Sequence, residues 1–98
     1  MLVKIHESYR KIIAVCDAEL LGKRFEQDNM QIDVYEEFYG GDKKTKEEVI
    51  ELLRDAAKED STFNLVGEKS VNAAIKAGII GKEGIIKIQG IPHALGLI

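Results

Sequence analysis

The chain has 98 residues, 45% hydrophobic and 32% charged, with a formal net charge of −3. That length supports one domain with one modest core, and the balance excludes a disordered chain. The acidic excess argues against a surface made to coat DNA, though not against a local basic patch, and the single cysteine, Cys16, excludes an internal disulfide and fits a cytoplasmic protein.

The opening "MLVKIHESYRK" holds no long apolar run, so it is not a secretory signal. No run approaches the ~20 apolar residues that span a bilayer, so no membrane contact is expected. "LVKIH" (Leu2 to His6) alternates and predicts a strand, with "ESYRK" as a hairpin connection. "IIAVC" (Ile12 to Cys16) is β-branched and reads as a central strand. In "DAELLGKRF", Asp17 is a plausible N-cap for one helical turn ended by Gly22. "QDN" reads as polar punctuation. "MQIDVYE" sets Met30, Ile32 and Val34 against Gln31, Asp33 and Tyr35, a half-buried strand that Glu36 and Glu37 would end.

Gly40 and Gly41 break the chain, and "TKEE" (Thr45 to Glu48) is a capping box. Val49, Leu52, Leu53 and Ala56 make the apolar stripe of the helix that follows, which "EDST" ends. "FNLVGEKSVNAAIKAG" predicts a second helix with Val71, Ala74 and Ile75 inward and Gly78 as its left-handed stop. Its start is either an Asn64 cap or Gly67 before Glu68. "GKEG" is a turn, "IIKIQ" (Ile85 to Gln89) a strand, and "GIPHALGLI" an irregular tail. The order β, β, turn, β, helix, helix, β predicts an α+β, two-layer domain over residues 1–98. It consists of a four-stranded mixed or antiparallel sheet with two helices on one face. The last strand is free to lie beside the first or the third.

The stretch "EEFYGGDKKTKEE" poses a choice between a site and a turn. Phe38 and Tyr39, Gly40 and Gly41, and Lys43, Lys44 and Lys46 at a helix start could hold a phosphate or a single-stranded base. The plainer reading is a strand-to-helix loop with one aromatic in the core. The spacing is not that of a phosphate-binding P-loop. His93, after Pro92, is a candidate acid, base or ligand, and Cys16 with His93 a candidate nucleophile pair. Against that pair, Cys16 ends an apolar strand, where cysteine is usually inert. No His or Cys spacing suits a metal, and no cofactor is expected. The glycines of "GIIGKEG" sit after a helix and before a strand, which rules out a dinucleotide fingerprint. Asn64 reads as a helix cap sooner than as a ligand-binding amide.

The segments "AVCDAELLGK", "EEFYGG", "NLVGEKSV" and "GIPHA", in this order, resemble an archaeal family of short proteins, domain-of-unknown-function family 424. The resemblance runs nearly the whole chain. It departs where Leu95 replaces a polar residue after "IPHA". It implies an archaeal, cytoplasmic, single-domain protein with no assigned activity. It also carries an association with translation-related genes, and hence with RNA or a ribosome-associated protein as partner. The positions it marks are Cys16, Asp17, Phe38, Tyr39, Gly40, Gly41, Asn64, Glu68 and His93.

Three functions are carried forward. The first is a non-enzymatic binding module for RNA, a ribonucleoprotein or a translation-related protein, through the Phe38–Gly41 loop with Lys43 and Lys44. The second is a small enzyme or ligand-binding protein in which Cys16 and His93 share a pocket with Asp17 or Glu68. The third is a structural protein that self-associates through the apolar end "LGLI" (Leu95 to Ile98).

Overall fold

The computed structural model describes residues 1–97, and the terminal Ile98 named for self-association lies outside them. In chain order the strands are β1 (Leu2–His6), β2 (Lys11–Cys16), β3 (Arg24–Gln27), β4 (Met30–Asp33), β5 (Asp42–Lys43), β6 (Ser61–Val66), β7 (Ile85–Ile88) and β8 (Ile91–Leu97). The helices are α1 (Glu36–Tyr39), α2 (Lys46–Ala56) and α3 (Glu68–Ala77). The fold is mixed α+β. Its main sheet has six strands in the order β5-β1-β2-β6-β8-β7, not the four expected, and β3 and β4 form a separate hairpin. β2 and β6 run parallel, and the other neighbours in the main sheet run antiparallel.

Helix α2 begins where the sequence puts it. The Thr45 hydroxyl accepts from the Glu48 backbone N–H (3.2 Å), and the Glu48 carboxylate accepts from the Thr45 N–H (2.9 Å). Its stripe buries Val49 and Leu53 against the sheet, and α3 adds Val71 and Ala74 to the same core. Strand alternation sends Val3, Ile13, Val15, Phe63, Leu65 and Ala94 to this helix face. α3 ends at Gly78, whose φ of +79° is the left-handed conformation that a Cβ disfavours.

The opposite face is not bare, so the layering is more than two-layered. α1 packs on β1 and β2, and the β3–β4 hairpin packs on β7. Together they bury Ala14, Cys16, Leu20, Ile32, Val34, Tyr39, Val66 and Ile88.

Four expectations are corrected. Ser61–Val66, expected to lead into a helix, is the central strand β6. Ser61, Thr62 and Asn64 are residues whose side chains favour turns and caps, but strands on both flanks supply the ladder hydrogen bonds that overrule them. "GIPHALGLI", expected to be irregular, forms β8 between β6 and β7. Its Pro92 sits near the strand's start, where a missing N–H is tolerated. Arg24–Gln27, expected to be connection, pairs with β4 across an Asp28–Asn29 turn in which Asp28 takes φ +56°. Glu36 and Glu37 do not end a strand but begin α1.

Candidate functional site

The parallel strands β2 and β6 both run into the N-terminus of α3, and Asp17 fills that junction. Asp17 was expected to cap its own turn, but its side chain makes no bond there. Its carboxylate instead accepts from the backbone N–H of Lys69 (3.1 Å), the N–H of Ser70 (2.8 Å) and the Ser70 hydroxyl (2.7 Å). Asp17 is thus the N-cap of α3, supplied from another strand. Gly67, the preceding residue, has φ +107°, and a Cβ there would lie 2.6 Å from both Asp17 carboxylate oxygens. Its N–H donates to the Pro92 carbonyl (2.9 Å). Three of the four family-like segments therefore meet here for a structural reason. The adjoining cleft, of about 430 Å³, is lined by charges of both signs, among them Glu19, Lys46, Glu68 and Lys69. Glu68 stands exposed in the first turn of α3.

The stretch "EEFYGG" is largely a packing device. Tyr39 is buried, and burial first, then the nearby Cys16, pushes its phenol up to about 12. A Cβ on Gly41 would overlap the Val3 carbonyl, and one on Gly40 would lie 2.7 Å from the Glu36 carbonyl oxygen. Both glycines let the chain pass close to its neighbours. Phe38 remains half-buried and stacks on His6, ring centroids 4.7 Å apart. A His6 Nε2 hydrogen bond to the Phe38 carbonyl (2.9 Å) fixes the pair. Tyr35, 46% exposed, also stacks on Phe38, at 5.8 Å. These rings form a short row at the rim of the sheet.

Cys16 and His93 do not form a pair. Cys16 is registered with Val66, and Val66 with His93, so two strand spacings of roughly 10 Å separate them. Cys16 is fully buried, its Sγ is 4.0 Å from the Tyr39 carbonyl, and burial pushes the thiol up to about 11. A thiol of that kind is not a nucleophile at neutral pH. Among the described residues no group of three or more His, Cys, Asp or Glu is placed to hold a metal ion, and no helix is long and apolar enough to cross a membrane.

Asn64 caps nothing. It lies mid-strand in β6, half-buried, on the face away from α2 and α3. Register places Ile12, Thr62, Asn64, His93, Leu95 and Ile86 on that same face. α1 and the hairpin cover the end near Cys16, and the other end stays open. Leu95 is 65% exposed and Ile86 47%. Burial lowers the His93 pKa, and its Nδ1, sealed from solvent, has no hydrogen-bond partner among the described residues.

Lys4, His6 and Lys43 alternate onto this same side of the sheet, Lys43 at the covered end, since it is registered with Leu2 and Leu2 with Cys16, and His6 at the open end, registered with Ile12. Asp42, registered with Val3, falls on the helix face. Lys44 lines a groove with Lys4 along the outer edge of β1. None of Lys4, Lys43 and Lys44 is in an ion pair among the described residues. The site therefore keeps Phe38, Lys43, Lys44, Asn64 and His93 from the sequence reading, and assigns Cys16, Asp17, Tyr39, Gly40 and Gly41 to the fold. It adds Lys4, His6, Tyr35, Thr62, Leu95 and Ile86. Alternation in "LVKIH" separates Leu2 and Lys4 from Val3 and Ile5, but nothing local says which side stays open.

A protein-family model described as "Protein of unknown function (DUF424)" matches residues 5–97. No curated protein matches the chain. A crystal structure of an uncharacterized conserved protein from Methanopyrus kandleri superposes with a TM-score of 0.85 at 24% identity, covering 96% of this chain and 87% of that one. That likeness shows a shared fold. The extent of the family match, nearly end to end, shows that the chain belongs to the DUF424 family.

Proposed function

We propose that the protein is a non-enzymatic module that binds single-stranded RNA across the open half of its sheet. The observation that carries this reading is the position of Lys4, Lys43 and Lys44. They stand outside any ion pair among the described residues, Lys4 and Lys43 on the side of the sheet that carries His6, Phe38 and Tyr35, and Lys44 with Lys4 in the groove at the outer edge of β1. A single strand is held by cations that track its phosphates and by flat surfaces on which bases stack. Lysines outside any close ion pair, in a chain of net charge −3, fit a polyanion better than a neutral surface. The link to translation-related genes that the family resemblance implies points to the same kind of partner. The reading moves the contact from the Phe38–Gly41 loop to the sheet face beside it, because Tyr39, Gly40 and Gly41 are occupied by packing.

Fluorescence anisotropy with short labelled single-stranded RNA, over a series of salt concentrations, tests the proposal. Binding should weaken linearly in log salt. The double variant Lys43→Ala/Lys44→Ala should flatten that slope by about 1.4, at roughly 0.7 per lost phosphate contact. No binding in low salt at protein concentrations of about 100 µM, the weak end of non-specific affinities, overturns the reading. So does a slope that the double variant leaves unchanged.

A further inference from the structure

Asn64 is out of place by the ordinary rules of a sheet. Asparagine is depleted in strands, and β6 is an interior strand flanked by β2 and β8. A residue kept there for the fold would cap, bridge or pair. No hydrogen bond within the described residues uses the Asn64 side-chain amide. Its cross-strand neighbours are Ala14, small and buried, and Leu95, exposed. The amide thus carries an unspent donor and an unspent acceptor.

His93 stands next to it. Val66 is registered with His93 and Asn64 with Leu95, so Asn64 and His93 are diagonal neighbours on one face, with Cα atoms about 7–8 Å apart. The Nδ1 of His93 is sealed inward, and its Nε2, neither sealed nor hydrogen-bonded among the described residues, is the nitrogen that can meet a ligand. Thr62, two residues from Asn64 on β6, adds a hydroxyl to the same face. Leu95 and Ile86 are exposed beside this pair and offer apolar surface to the flat side of a ring. Two polar groups with free hydrogen-bonding capacity beside apolar side chains suit a planar heterocycle that carries donors and acceptors on its edge.

We infer that Asn64 and His93 read the edge of an unpaired nucleobase lying against Leu95 and Ile86. The inference rests on the RNA reading and deepens it, for it divides the site into two parts. Lys4, Lys43 and Lys44 hold the backbone and carry no sequence information, whereas Asn64 and His93 discriminate between bases. A bidentate amide–base contact distinguishes the right base from a wrong one by roughly 5- to 150-fold.

The test uses the full chain and four labelled single-stranded homopolymers, of A, C, G and U, measured by anisotropy at one fixed low salt. Asn64→Val is the informative variant, because valine suits a central strand and should keep or raise the melting temperature. The expected result is a preference of at least about 5-fold for one base in the parent protein, lost in Asn64→Val with the salt slope unchanged. His93→Phe should reduce the preference in part. Binding to all four homopolymers alike, or a preference that survives Asn64→Val, overturns the assignment and leaves the RNA reading standing. A marked drop in melting temperature in Asn64→Val also overturns it, because Asn64 then serves the fold. No binding to any homopolymer overturns both.

Discussion

Asp17 and Ser70 stand 53 residues apart in sequence, yet one carboxylate oxygen of Asp17 accepts from both the N–H and the hydroxyl of Ser70, at 2.8 and 2.7 Å. This pair ties the end of β2 to the first turn of α3. It explains why a helix that follows glycine begins cleanly, and why an aspartate at 4% exposure is tolerated. The first N–H groups of a helix have no partner of their own, and a buried carboxylate needs donors. Each solves the other's problem.

Removing the carboxylate should therefore cost more than removing an ordinary surface cap. Asp17→Ala strands three donors and leaves α3 uncapped, an expected loss of about 2–4 kcal/mol from the cap and the unmet hydrogen bonds together. Ser70→Ala removes one bond and should cost about 1 kcal/mol. Urea denaturation of the two variants against the parent measures both.

Gly67 and Gly78 both have positive φ but differ in their surroundings. A methyl group at Gly78 meets nothing within 4 Å, so Gly78→Ala should cost only the left-handed backbone, about 1 kcal/mol. A methyl group at Gly67 runs into the Asp17 carboxylate, so Gly67→Ala should cost at least about twice that. In the double variant Asp17→Ala/Gly67→Ala the two losses should add to less than their sum, since the first removes the atoms that the second strikes.

Alkaline stability should follow Cys16 and Tyr39. Their pKa values rise from 9.0 to about 11 and from 10.0 to about 12. Above the ordinary values the unfolded chain gives up these protons while the folded chain keeps them. Their contribution is full below pH 9, falls as pH rises through that window, and falls no further above about 12. A melting-temperature series from neutral to alkaline pH should show the decline, and Cys16→Ala/Tyr39→Phe should flatten it. In the native protein at neutral pH a thiol reagent should label Cys16 only at the rate of unfolding.

The capping box gives the opposite limb. Hydrogen bonds from the Thr45 backbone and then from its side chain lower the Glu48 pKa. Its contribution is present above the ordinary carboxylate value and fades as pH falls through the lowered one. Glu48→Gln should remove that part of the acid dependence. Thr45→Ala should cost about 1 kcal/mol at neutral pH, read by thermal unfolding.

Much of this protein was determined locally. The capping box at Thr45, the stripe Val49–Leu53, the Gly78 stop and the alternation of Leu2–His6 each depend on residues within one or two turns of each other, and short-range periodicity reports them. What only the tertiary structure decided depends on partners distant in sequence. Ser61–Val66 became a strand because β2 and β8 flank it. Asp17 became the cap of α3 because two parallel strands end side by side. Gly41 is glycine because the chain must pass the Val3 carbonyl, not because a turn needs its freedom. The open face exists because α1 and a short hairpin cover one end of the sheet and leave the other. Alternation assigns Asn64, His93, Lys4 and Lys43 to one side of their strands, but which side is buried is settled by what packs there, and that is a property of the whole chain.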